Sequence, residues 1–146
     1  MTEFSGNRMD GKICVVTGAT QGLGAAIARR LAAAGAKGIV ITGRNVERGT
    51  HVAREIAEAH GIWAHFLQAD FARVEDCRMV IAETDRLFGR IDVLVNAGAS
   101  TARGTIVDTS PETFDALFNT NVRGPYFLMQ EAIRLMIAKG TLGAIC

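Results

Sequence analysis

A chain of 146 residues, 49% of them hydrophobic, is the length of one domain and has enough apolar material for a core. Its formal net charge of +1 gives no basic field for nucleic acid, and its arginines are scattered through segments that also carry acids. No apolar run reaches the roughly 20 residues that cross a bilayer, and residues 1–10 lack the apolar centre of a signal peptide. The expectation is a soluble, cytoplasmic protein with no nucleic-acid or membrane partner.

Residues 1–10 read as a flexible N-terminal arm that Asp10-Gly11 turns into the first strand, the β-branched run at 13–16. That run feeds residues 17–24, Thr-Gly-Ala-Thr-Gln-Gly-Leu-Gly, and an alanine-rich helix leaves them at 22–34 with Leu23, Ile27 and Leu31 at helical spacing. Glycines at a strand-to-helix turn suit a phosphate cradle. Gly18 takes the tight turn, Gly22 leaves room for a pyrophosphate, and Gly24 lets the helix lie close to the strand. The free amides and positive end of the helix dipole then hold the anion.

A second strand at 39–42 ends at Gly43-Arg44, and a helix follows at 46–59 with Val52 and Ile56 inward. A third strand at 64–69 ends at Asp70. Cys77, Val80, Ile81, Thr84, Leu87 and Phe88 make the apolar face of a third helix, which Gly89 stops. The strand at 92–96 leads through Ala97-Gly98 into a polar loop whose Thr101, Arg103 and Thr105 read as solvated. Ser110-Pro111-Glu112 is an N-cap with proline at the first helical position, opening a helix to Asn121. Gly124-Pro125 punctuates the chain before a helix at 126–138 carrying Phe127, Met129, Ile133 and Ile137, and a fifth strand begins at 143–146.

Strands alternating with helices predict an α/β fold, a Rossmann-type doubly wound parallel sheet truncated at the fifth strand, so that residues 11–146 form one incomplete dinucleotide-binding domain. Ligands of such sheets bind beyond the carboxyl ends of the strands, and the candidate residues all fall there. Cys14, Cys77 and Cys146 have no metal or disulfide spacing and read as small core residues; His51, His60 and His65 are not spaced as ligands, and no metal site is expected.

Thr17-Gly18-xxx-Gly22-x-Gly24, Asp70, Asn96-Ala97-Gly98 and Asn121-Val122-x-Gly124 occur in order and at suitable spacing, and on them nearly the whole chain resembles the short-chain dehydrogenase/reductase family. The resemblance implies that Thr17, Gly18, Thr20, Gln21, Gly22, Leu23 and Gly24 surround the pyrophosphate of a nicotinamide cofactor. It implies that Asp70, with Phe71 beside it, accepts a hydrogen bond from the adenine amino group, and that Asn96, Ala97 and Gly98 line the floor near the ribose and nicotinamide. Asn121 corresponds to the family's catalytic asparagine, which shapes a helix and holds a water in the proton relay. At the end of the second strand an acidic residue would accept bonds from the ribose hydroxyls of NAD; Gly43 and Arg44 stand there instead, and a guanidinium pairs with a 2′-phosphate, which favours NADP over NAD.

The family's catalytic serine, tyrosine and lysine follow the fifth strand, and no residue here matches them. Tyr126 is the only tyrosine, and Gln130 stands four places on. The resemblance therefore implies NADP-dependent interconversion of a carbonyl and a secondary alcohol by a homo-oligomer of the complete protein, acting on a small-molecule substrate, while the 146-residue chain by itself is expected to be inactive and to leave a sheet edge and apolar faces open. A noncatalytic NADP-binding or regulatory module is the alternative. A methyltransferase using S-adenosylmethionine is disfavoured by the missing acidic residue after the second strand and by Asn96-Ala97-Gly98 and Asn121.

Overall fold

The computed structural model describes residues 8–146. Five strands, β1 (Ile13–Thr17), β2 (Gly38–Gly43), β3 (Trp63–Gln68), β4 (Val93–Val95) and β5 (Ala144–Ile145), form one sheet in the order β3-β2-β1-β4-β5. Every pairing is parallel, with Val15 opposite Val40 on one side and opposite Leu94 on the other. The chain starts in the centre, winds out to β3, then returns past β1 to β4, so the strand order reverses between β1 and β4. A ligand crevice opens at that point in such sheets.

Because helices cover both faces, β1 and β2 are buried at every residue and their sequences are unbroken apolar or small runs rather than alternating ones. Cys14, Val16, Ile39 and Ile41 face α1 (Gly22–Ala33) and α2 (Val46–His60). Val15, Val40 and Leu94 face α3 (Val74–Phe88) and α5 (Gly124–Lys139). Val52 and Ile56 are buried under α2, as their spacing requires. Ser110 caps α4 (Pro111–Phe118), its Oγ accepting the Thr113 N–H at 3.2 Å.

Several expectations need correction. Part of the proposed arm, residues 1–7, lies outside the described residues, but Met9 and Asp10 are tied down. The Met9 N–H donates to the Ala34 carbonyl at 2.8 Å, and Asp10 bridges Ala36. In α1 the buried face is Gly24, Ala25, Ala28 and Ala32, because the helix lies too close to the sheet for larger side chains; Leu23 is 73% exposed. Likewise α5 buries Leu128, Ala132 and Met136 against α3, which leaves Ile133 and Ile137 on its outer face. Cys146 is exposed, unlike Cys14 and Cys77.

Gly124-Pro125 does not interrupt the helix. The chain runs from α4 through a π turn, Asn119–Arg123, directly into α5. The Gly124 N–H reaches back five residues to the Asn119 carbonyl. Pro125 has no N–H to give the Asn121 carbonyl four residues back, so the widened turn absorbs a break that the sequence led us to expect in the chain path.

Candidate functional site

At the carboxyl ends of β1, β2, β3 and β4 lies a cleft of about 340 Å³. Its floor is the turn that follows β1. Gly18 sits at φ +62, and a Cβ there would stand 2.4 Å from Gly98 Cα, so the loops after β1 and β4 touch backbone to backbone. Gly24 is equally constrained, since its Cβ would meet the Gly18 carbonyl oxygen at 2.4 Å. These contacts draw the start of α1 onto the turn. No side chain caps α1 and no acid occupies its first turn, so its amide N–H groups and dipole are directed at the cleft uncompensated.

Residues from four loops meet around that helix end. Thr20, Gln21, Gly22 and Leu23 come from the first loop, Arg44 from the second, Asp70 and Phe71 from the third, and Ala97 and Gly98 from the fourth. The first Asp70 carboxylate oxygen, Oδ1, accepts the Ala72 N–H at 3.1 Å, while the Asp70 N–H donates to Asp76 at 2.8 Å. These bonds fix the turn after β3 and hold Asp70 at the rim. Phe71 is buried behind it, with its ring edge 3.0 Å from where a Gly98 Cβ would stand.

Thr17, Asn96 and Asn121, expected at the cleft, are not among the residues that line it. Thr17 is buried and its Oγ1 accepts the Gly98 N–H at 3.1 Å, which fastens the β4 loop to β1. Asn96 Nδ2 donates to the Cys146 carbonyl at 3.2 Å and so ties β4 to β5. Both polar groups of Asn121 are spent on one residue: Oδ1 accepts the Ser100 N–H at 2.7 Å and Nδ2 donates to the Ser100 carbonyl at 2.9 Å. The side chain thus pairs with the β4 loop like a neighbouring strand, and neighbouring Thr120 is the π-turn residue that lines the cleft.

Sequence reasoning missed Asn45, Arg48 and Thr120. Arg48 adds a second arginine to the cleft lining, four residues after Arg44. Its own N–H is capped by Asn45 Oδ1 at 2.8 Å, which fixes the first turn of α2. Neither arginine forms an ion pair among the described residues. The signal was the four-residue spacing of Arg44 and Arg48 across an N-cap asparagine. Tyr126, by contrast, stands on the exposed side of α5, edge-on to Phe127 at 5.3 Å. No tyrosine, lysine or serine lines the cleft among the described residues. The nearby Cys77 thiol is pushed up to about 11 by burial and by Asp76, and stays protonated.

The arrangement can therefore hold an elongated polyanion: amides and a helix end for one phosphate, two guanidinium groups for another, and a carboxylate at the rim for an amino group. Among the described residues no group of metal ligands is assembled, and no helix is long and apolar enough to cross a membrane.

A family model described as short chain dehydrogenase matches residues 12–146. Versicolorin reductase 1 of Aspergillus parasiticus is 38% identical over 136 residues, 93% of this chain and 52% of its own length. Among solved structures, a short chain dehydrogenase from Burkholderia cenocepacia in complex with NADP superposes with a TM-score of 0.83 at 40% identity, covering 88% of this chain and 52% of that one. L-Sorbose reductase from Gluconobacter frateurii, complexed with NADPH and L-sorbose, gives 0.90 at 31% identity over 95% of this chain and 52% of that one. The chain spans about half the length of the relatives it matches.

Proposed function

The chain belongs to the short-chain dehydrogenase family, and from that premise we propose that residues 11–146 are the cofactor-holding part of an NADP-dependent oxidoreductase that interconverts a small-molecule carbonyl and a secondary alcohol. The observation that carries the reading is the meeting of an uncapped helix end with two guanidinium groups and one rim carboxylate in a single cleft. When bound, NADP supplies the hydride acceptor, or NADPH the donor. Gly18 and Gly22 bring backbone amides against the pyrophosphate, with Thr20, Gln21, Leu23 and Gly24 completing that loop. Arg44 and Arg48 take the 2′-phosphate, Asp70 takes the adenine amino group with Phe71 behind it, and Ala97 and Gly98 form the floor toward the nicotinamide.

Thr17, Asn96 and Asn121 act as positioning residues. Asn121 holds the Ser100 loop through its side chain, and its main-chain carbonyl receives no α-helical bond because Pro125 has no N–H. The cleft has no tyrosine, lysine or serine to exchange the substrate's proton, so the 146-residue chain binds the cofactor and turns nothing over. The exposed Phe114, Phe118, Val122, Tyr126, Ile133 and Ile137 along α4 and α5 support a homo-oligomer of the complete, cytoplasmic protein.

Titration calorimetry with NADPH and NADH tests the cofactor assignment. Charge-assisted hydrogen bonds contribute about 1.5–3 kcal/mol, so Arg44→Leu or Arg48→Leu weakens NADPH roughly tenfold or more and leaves NADH unchanged. Equal affinities for the two cofactors, indifferent to both substitutions, refute it; steady NADPH oxidation by this chain with carbonyl substrates refutes the inactivity. The absence of tyrosine, lysine and serine from the cleft lining also fits a noncatalytic NADP-binding module. The intact mass of the protein in its source separates the two: a value near 15.6 kDa favours the module.

A further inference from the structure

At the opposite, amino-terminal end of the strands is a second cavity of about 260 Å³, bounded by Ile13, Lys37, Trp63, Leu87, Phe88 and Arg90. Its wall is aromatic. Trp63, at the start of the edge strand β3, is 69% exposed; it stacks on His65 at 6.1 Å, and His65 meets Phe88 edge-on at 6.0 Å. Its rim is cationic. Lys37 has no ion-pair partner among the described residues, and Arg90 gives Nε and Nη2 to Asp92 while Nη1 remains uncommitted. Of the carboxylates at this end, Asp92 is buried and already faced by both Arg90 and Lys12, and Asp10, next to the cavity-lining Gly11, is paired with Arg8. Four cations, Arg8, Lys12, Lys37 and Arg90, against two carboxylates leave this end of the sheet net positive beside an exposed indole.

We propose that this cavity binds a compact aromatic carboxylate, its ring against Trp63 and Phe88 and its carboxylate between Lys37 and Arg90. An aromatic ring gains from burying the exposed face of Trp63, and a carboxylate finds the uncommitted Nη1 of Arg90 and the free Lys37 ammonium. The volume lies just below the range of drug-sized pockets, roughly 300–1,000 Å³, and suits a one- or two-ring ligand. The nucleotide cleft lies at the other end of the strands, so the proposal stands independently of the cofactor assignment.

Trp63 is the only tryptophan, and its emission excited at 295 nm reads this site alone. Benzoate added to the full 146-residue chain is expected to change that emission saturably, with benzamide and acetate each at least tenfold weaker. Lys37→Gln, a surface change, weakens benzoate at least fivefold, and Trp63→Phe, followed by calorimetry, at least threefold, with circular dichroism and NADPH affinity unaltered in both. Equal affinity for benzamide, a linear response to benzoate, or indifference to Lys37→Gln overturns the proposal. So does concentration-dependent masking of Trp63 without added ligand, which would assign the cavity to a second copy of the chain.

Discussion

Replacing Asp92 removes the charge that closes the amino-terminal end of the sheet. The residue is 2% exposed; its carboxylate accepts the Ile13 N–H at 2.9 Å and Arg90 Nε at 3.0 Å, with Lys12 Nζ at 3.6 Å. Burial pushes the carboxyl up, but Arg90, the Ile13 N–H and Lys12 outweigh it and hold it below the usual carboxylate value. Breaking a fully buried ion pair costs about 3–5 kcal/mol, but Arg90 and Lys12 are each a little under half exposed and water can take back their charges. Asp92→Asn keeps an acceptor for Ile13 and should cost about 2 kcal/mol; Asp92→Ala also orphans that N–H and should cost about 3.

Because the folded-state value is depressed, the stabilisation is complete above the unfolded value near 3.9 and fades as pH falls through the lower folded one. Urea unfolding followed by circular dichroism at 222 nm measures both effects. The gap between the native chain and Asp92→Asn should be full at neutral pH and should narrow only as pH falls below the unfolded value near 3.9. A gap below about 0.5 kcal/mol at neutral pH would put Asp92 on a par with an exposed pair and refute the reasoning. A gap that did not change with pH would refute the charge argument.

Gly24→Ala drives a Cβ to 2.4 Å from the Gly18 carbonyl oxygen, where only backbone can yield. It should cost about 1–3 kcal/mol in urea unfolding and weaken NADPH binding measured by calorimetry. Ser110→Ala removes the acceptor for the Thr113 N–H and should lower stability by about 1 kcal/mol in the same unfolding assay. Ellman's reagent at neutral pH should label exposed Cys146 quickly and leave the other two thiols unreacted until urea is added, since burial raises Cys14 to about 12 and Cys77 to about 11.

What sequence alone determined was whatever local chemistry dictates. The unbroken apolar run of β1 means two covered faces, the glycines of the first turn mean a loop without room for side chains, and Ser110-Pro111 means a helix start; all three elements stand where they were expected. Arg44 and Asp70 were legible because strand ends in this fold converge by topology. Tertiary structure decided the rest, because it depends on how close two elements lie. Leu23 has the spacing of a core residue, yet α1 approaches β1 through its alanines, and the leucine is left at the cleft rim. Thr17 and Asn96 belong to the right motifs, but their side chains are engaged in hydrogen bonds across strands and do not line the cleft. Arg48 joined the cleft only once Asn45 had set where α2 begins, and the Trp63 cavity exists only where β1, β2 and β3 begin beside the end of α3, four segments far apart in the chain.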